Sequence, residues 1–297
     1  MFRLADLTRR IPCWLTVFTL CFPLSALAQP SLWLAQKDQQ QLYLFGSIHI
    51  GSPRLYPLPS SVLDAFKQSE QLWVEVDTRH LSSEDMQQIR RDVTLPEGET
   101  IDAHISVQTL KKLKKRSQQL GLSYSVLEHY QPWYISVLIT QKVYQQQGYN
   151  SQLGVDQYFL KQATLKDKPI RQLETAPQQF QSLSSLKSDS NTMLKQVLIA
   201  GHTLTQSLSQ TVDAWRSGDQ VKLRQLLSEQ ESESDKQVEQ KFKQNLLIKR
   251  NQNWLQILTS IKSHQPQFIV VGALHLSGPE GLLNLLKGSG YHISQIK

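Results

Sequence analysis

The chain is nearly without cysteine. Its two, Cys13 and Cys21, both fall in the first 28 residues. Once that segment is removed, nothing remains to form a disulfide, a thiolate nucleophile or a thiolate metal ligand. The segment itself reads as an export leader. Arg3, Arg9 and Arg10 precede an apolar stretch over 11–24, and Ala26 and Ala28 are the small residues that place a cut after Ala28. The stretch is too short, and too interrupted by proline, to span a bilayer. The sequence therefore predicts an exported protein, periplasmic or secreted, with no stable membrane span after cleavage. A single domain over 29–297 must rely on its core for stability.

Other familiar devices are missing. There is no His-Glu-x-x-His zinc helix, no Gly-x-Ser-x-Gly elbow, no phosphate loop and no solenoid repeat. The formal charge is +7. The leader holds three arginines against Asp6, a net +2, which leaves +5. Much of it lies in Lys111-Lys112-Leu113-Lys114-Lys115-Arg116. No aromatic residue interleaves with these charges, so they read as a solvated helix face and not as a nucleic-acid contact.

Two strands, 32–36 and 41–48, open the domain, and a helix over 60–68 leads to a strand over 71–77. Mostly helical segments follow, about 82–166 and 176–263, interrupted by a short strand over 169–173. Leu110, Leu113 and Leu120 give a helical stripe ended by Gly121. The stretch 220–240 is the most polar. The end returns to strand and helix. Phe268-Ile269-Val270-Val271 is apolar on both faces, as a central parallel strand should be, and a last strand follows over 291–296. The fold class is α/β: one mixed sheet from both chain ends with large helical insertions.

Two turns repeat a pattern, Gly46-Ser47-Ile48-His49 and Gly272-Ala273-Leu274-His275. Each histidine follows a strand, and open α/β sheets bind ligands beyond the carboxyl ends of their strands. The glycine is expected to let the backbone turn sharply. Two such imidazoles could share a divalent ion or serve one substrate; either alone could simply bond the next loop. Glu75 lies among Leu72, Trp73, Val74 and Val76, so it needs a cation or a metal. Strand alternation puts Asp77 on its face. Arg250 could clamp a carboxylate, either Glu75 or a substrate group.

These residues, with Gln131-Pro132-Trp133, Gly154-Val155-Asp156, Leu173-Glu174-Thr175 and Arg250-Asn251, make a chain that resembles the TraB/GumN family, which includes the Tiki proteases and the pheromone-shutdown proteins. The resemblance implies a fold like that of erythromycin esterase and a haem-binding lipoprotein group. It implies a site of His49, His275, Glu75 and Arg250. Apart from the resemblance, Asp77, Asp156 and Asn251 are expected to support these four, although Asp156 after Gly154 could equally only start a helix. The resemblance also implies divalent-metal dependence without the usual zinc motif. One departure is Lys249, where family members often carry an acidic residue.

The residues leave two functions open. One is a metal-dependent hydrolase of peptides or proteins. His49, His275 and Glu75 would hold Mn, Co or Zn, and Arg250 would steady the oxyanion or orient Glu75. The other is a binding protein that captures a peptide signal or a haem-like ligand without turnover.

Overall fold

The computed structural model describes residues 29–228 and 233–296. The expected leader lies outside the described residues. No described helix is long and apolar enough to cross a membrane.

Six strands form one sheet: β1 (Leu32–Lys37), β2 (Gln40–Ser47), β3 (Gln71–Val74), β4 (Ile170–Gln172), β5 (Gln267–Gly272) and β6 (His292–Ile296), in the order β4-β3-β5-β2-β1-β6. The strands β4, β3, β5 and β2 run parallel, while β1 pairs antiparallel with β2 and with β6. This is the mixed sheet from both chain ends. All six residues of β5 are buried, as its unbroken apolar run requires.

Period-2 alternation splits the sheet's side chains into two cores. Tyr43, Phe45, Phe268 and Val270 pack on one face against Val62 and Phe66 of the helix Ser60–Gln68 and Phe159 of the helix Val155–Leu165. Phe159 and Phe268 meet with ring centres 4.9 Å apart. On the other face Leu42, Leu44, Ile269 and Val271 pack against Trp254 and Leu258 of the helix Lys249–Ser260, and against Leu282 and Leu286. The first helical insertion has a core of its own, with Leu113, Leu120, Ile135 and Ile139. There the helix Val107–Leu120 ends at Gly121 in the left-handed region, and the lysines beside the buried Leu113 are exposed.

Two features differ from the sequence-based expectation. Strand β3 ends at Val74 and does not reach Asp77. Beyond it the Glu75 carbonyl accepts from the amides of Leu173 and Glu174, and the chain leaves the sheet. A π-helical stretch, Lys243–Ile248, runs directly into the helix Lys249–Ser260. Its wider turn brings Leu246 and Leu247 to the same cavity as Arg250.

Candidate functional site

Four adjacent parallel strands each release a polar residue just past their carboxyl ends: Glu174 after β4, Glu75 after β3, His275 after β5 and His49 after β2. The crevice beyond parallel strand ends is where such sheets bind ligands. A cavity of ≈ 590 Å³ opens there, lined by His49, Glu75, Arg250, Gly272 and His275 among others.

Arg250 is the hub. Its Nη2 donates to Glu75 Oε2 at 2.6 Å and to Glu174 Oε1 at 2.6 Å. Nε donates to both Glu174 oxygens at 3.1 Å. Nη1 donates to the Leu246 carbonyl at 2.9 Å and to His275 Nε2 at 3.1 Å. All five N–H groups are thus engaged, and the guanidinium lies 4.6 Å from the Trp254 ring centre. Of the two clamps considered from sequence, the structure forms the one to Glu75. It leaves no guanidinium donor for an oxyanion.

Glu75 receives a second short bond, from the Gly272 amide to Oε1 at 2.6 Å, and a third from Gln179 Nε2 to Oε2 at 3.1 Å. Gln179 arrives on the helix Ala176–Ser184, which Thr175 and Gln178 start with a reciprocal capping box. Burial works to raise the Glu75 pKa. The positive charge of His275 and His49 when protonated, the Arg250 guanidinium and the Gly272 amide outweigh it and hold the carboxyl at about 2. Glu174 shares the same guanidinium. Burial raises its pKa despite Arg250, with Glu75 adding to the rise.

His275 is buried and its ring centre lies 4.4 Å from that of Trp254, tilted by 42°. The Nδ2 of Asn251 donates to the carbonyls of His275 and Glu280, so its Oδ1 accepts from His275 Nδ1 at 2.7 Å. That assigns the proton to Nδ1 and leaves Nε2 as acceptor for Arg250. Burial drives the His275 pKa down to about 3; Glu75 opposes this, while Arg250 and His49 reinforce it. At neutral pH His275 is therefore uncharged, and the cations beside Glu75 are Arg250 and His49.

His49 differs. Its side chain is 59% exposed, set among protein walls yet open to the cavity. Nδ1 lies 3.3 Å from Asp156 Oδ1, and Nε2 lies 3.8 Å from Glu75 Oε1. Crowding by the protein works to lower its pKa. The Asp156 hydrogen bond and the charges of Asp156 and Glu75 outweigh this and Arg250, pushing it up to about 9. Water reaching the ring screens part of that pull. Asp156 is brought there by close backbone approach. A Cβ on Gly51 would stand 1.7 Å from the Leu153 carbonyl oxygen, and one on Gly154 2.6 Å from that of His49. Only glycines let the two loops touch.

The glycines of the two Gly-x-x-His turns serve space as well, not a special backbone conformation. Neither has positive φ. A Cβ on Gly46 would come within 3.0 Å of Ala273 Cα, and one on Gly272 would project among Glu75, His49 and His275.

The structure thus gathers His49, His275, Glu75, Arg250, Asp156 and Asn251. It leaves Asp77 outside, because β3 ends before alternation can act. Asp77 instead binds Arg79 through both oxygens, at 2.8 and 2.7 Å. Glu174 and Gln179 are additions. Glu174 follows β4 much as Glu75 follows β3, but β4 is too short and polar to mark it in the sequence.

A divalent ion held by His49, His275 and Glu75 does not fit these donors as they stand. The Nε2 lone pair of His275 accepts from Arg250, and the atom it turns towards the space at Gly272 is Cδ2. Both Glu75 oxygens carry donors, and a dication would sit beside the guanidinium. Among the described residues no group of three or more His, Cys, Asp and Glu side chains could hold an ion.

Residues 31–295 match a model of the TraB/PrgY/gumN family. The chain is 28% identical over 262 residues to YbaP of Escherichia coli (strain K12), a protein described as uncharacterized; the match covers 87% of this chain and 92% of that one. An uncharacterized protein of Treponema pallidum (strain Nichols) is 20% identical over 285 residues, 90% of this chain and 85% of its own. A Nematostella vectensis protein described as a metalloprotease TIKI homolog is 20% identical over 317 residues, 90% of this chain and 67% of its own. No solved structure matches the chain.

Proposed function

We propose, from the premise that this chain belongs to the TraB/PrgY/gumN family, that it is a hydrolase of peptide bonds acting in an exported compartment, with His49 as the base that activates water. The observation that carries this reading is the Asp156–His49–Glu75 alignment at the cavity beyond the strand ends.

A general base needs a free lone pair within reach of the water. The oxygens of Glu75 are tied to Arg250, Gln179 and Gly272, and its depressed pKa makes it a weak base. The lone pair of His275 is taken by Arg250. His49 Nε2 carries no such donor and faces the cavity. Asp156 holds the Nδ1 proton in place, which fixes the tautomer with Nε2 free once the ring is neutral. Water adds to the carbonyl carbon, the C–N bond breaks, and the proton taken by Nε2 passes to the leaving amine. Glu75 supports the imidazolium formed in between, and Arg250 with Glu174 keeps Glu75 in position.

A second reading is favoured by the similarity to the protein described as a metalloprotease TIKI homolog. In it a divalent ion, Mn, Co or Zn, occupies the site. It requires Arg250 to release His275 first.

The test is digestion of a defined peptide library by the chain beginning at residue 29, with products read by mass spectrometry. Cleavage by the unaltered protein and its loss in His49→Ala support the reading. Equal cleavage by both, or by neither, contradicts it.

A further inference from the structure

Arg250 has no donor left for a substrate, so the scissile carbonyl must be received by another group. This inference rests on the hydrolase reading above. A Cβ on Gly272 would lie 3.3 Å from Glu75 Oε1, 3.4 Å from His49 Nε2 and 3.5 Å from His275 Cδ2. The space over Gly272 is therefore a small seat ringed by the three site residues. On the neighbouring strand Ser47 is the register partner of Gly272. Parallel partners send their side chains to the same face, so Ser47 points where a Gly272 side chain would. Ser47 is 2% exposed and lines the same cavity. Its Oγ is buried with no hydrogen-bond partner among the described residues. Leaving a buried hydroxyl unsatisfied is costly, and the fold gives it no internal use. The rest of the cavity is mostly apolar, with Leu223, Leu226, Phe242, Leu246 and Leu247 in its wall and Gln141 and Thr211 among them.

We infer that Ser47 donates its hydroxyl proton to the carbonyl oxygen of a peptide seated over Gly272, and that the apolar wall takes a large aliphatic or aromatic side chain beside that carbonyl. Ser47 keeps its proton throughout. Its bond strengthens as negative charge develops on the oxygen, when water's oxygen bonds to the carbon and before the C–N bond breaks. The substrate class is thus an uncharged peptide segment with a bulky apolar residue at the cut.

Two variants test this while keeping His49 itself in place. Ser47→Ala removes the donor. Gly272→Ala fills the seat; its φ of −52° suits any L residue, and its methyl would meet side-chain atoms at ordinary or slightly tight distances. Two readouts are used: hydrolysis of acetyl-Ala-Ala-Leu-aminomethylcoumarin against the Asp analogue, and fluorescence anisotropy of fluorescein-labelled Ala-Ala-Leu-Ala-Ala. The expected results are a preference for Leu over Asp of at least about tenfold, the scale on which a hydrophobic pocket discriminates. The kcat of Ser47→Ala should fall about 10²–10³-fold, the scale of a lost oxyanion donor, with KM little changed. Gly272→Ala should lose binding of the labelled peptide while melting at a temperature close to that of the unaltered protein. If the unaltered protein cleaves nothing but binds the Leu peptide, and Gly272→Ala does not, the hydrolase reading fails while the seat stands. If cleavage occurs and both variants match the unaltered enzyme, or Asp is preferred, the seat is wrong and the hydrolase reading stands. Absence of both cleavage and binding overturns both.

Discussion

Arg250 donates from Nη1 to Nε2 of His275 across 3.1 Å. That one bond spends the lone pair a metal would need. Prolonged chelation followed by desalting is therefore expected to leave peptide hydrolysis within about twofold, whereas in metal-dependent sites even the loss of a residue that supports a ligand costs about 10–100-fold. Activity and metal content, measured together, check this. Loss on chelation, restored by Mn, Co or Zn, would establish the metal reading and imply that Arg250 swings away.

Removing the guanidinium should unsettle the fold. Arg250→Met leaves Glu75 and Glu174, both nearly enclosed, without their shared cation. Breaking a buried ion pair from one side costs about 3–5 kcal/mol. Urea denaturation should show a loss of that order, and the triple change Arg250→Met, Glu75→Gln, Glu174→Gln should recover part of it. A loss under about 1 kcal/mol for Arg250→Met would mean that the carboxylates find other partners or neutralise without cost.

Acid should act through the same cluster. Glu75 has its pKa lowered from 4.5 to about 2, so the fold prefers the ionised carboxylate. Its contribution is present above about 4.5 and is lost as pH falls through about 2. His275 has its pKa lowered from 6.5 to about 3, so the fold prefers the neutral ring. Its contribution is likewise lost on acidification, beginning below 6.5. Denaturation midpoints should therefore fall from near neutrality downwards. Glu75→Gln, weaker at neutral pH, should show a smaller further fall below about pH 4.5. A midpoint that stays level for the unaltered protein across this range would contradict the arrangement.

Much of the site could be read from residue order because four strand ends build it. His49, His275 and Glu75 each stand next to an apolar strand, where a polar residue is conspicuous. Arg250 was legible as a partner because a buried carboxylate must be neutralised. Glu174 was hidden, since β4 has three residues and polar neighbours that give no contrast. Asp77 was drawn into the site by extending β3 past its end. Alternation reports faces only while the ladder lasts, and the amides of Leu173 and Glu174 already turn to the Glu75 carbonyl. The π-helical stretch before Arg250 was invisible, because one wider turn scarcely disturbs a helical pattern. Ser47 looked like any serine beside a glycine. Its significance lies in a register with Gly272 that spans 225 positions of sequence.

In the proposed mechanism His49, oriented by Asp156, takes the proton from water. The direct measurement is kcat/KM against pH for the unaltered protein and for Asp156→Asn, on the library peptide it cleaves best. The raised pKa of about 9 means that His49 is largely protonated at neutral pH and gains its lone pair as pH rises through that value. The profile should climb on the alkaline side to a plateau. Asp156→Asn removes the negative charge that raises the pKa, so its midpoint should move to lower pH while its plateau falls. A profile that declines through pH 9, or an unshifted midpoint in Asp156→Asn, would show that His49 is not the base.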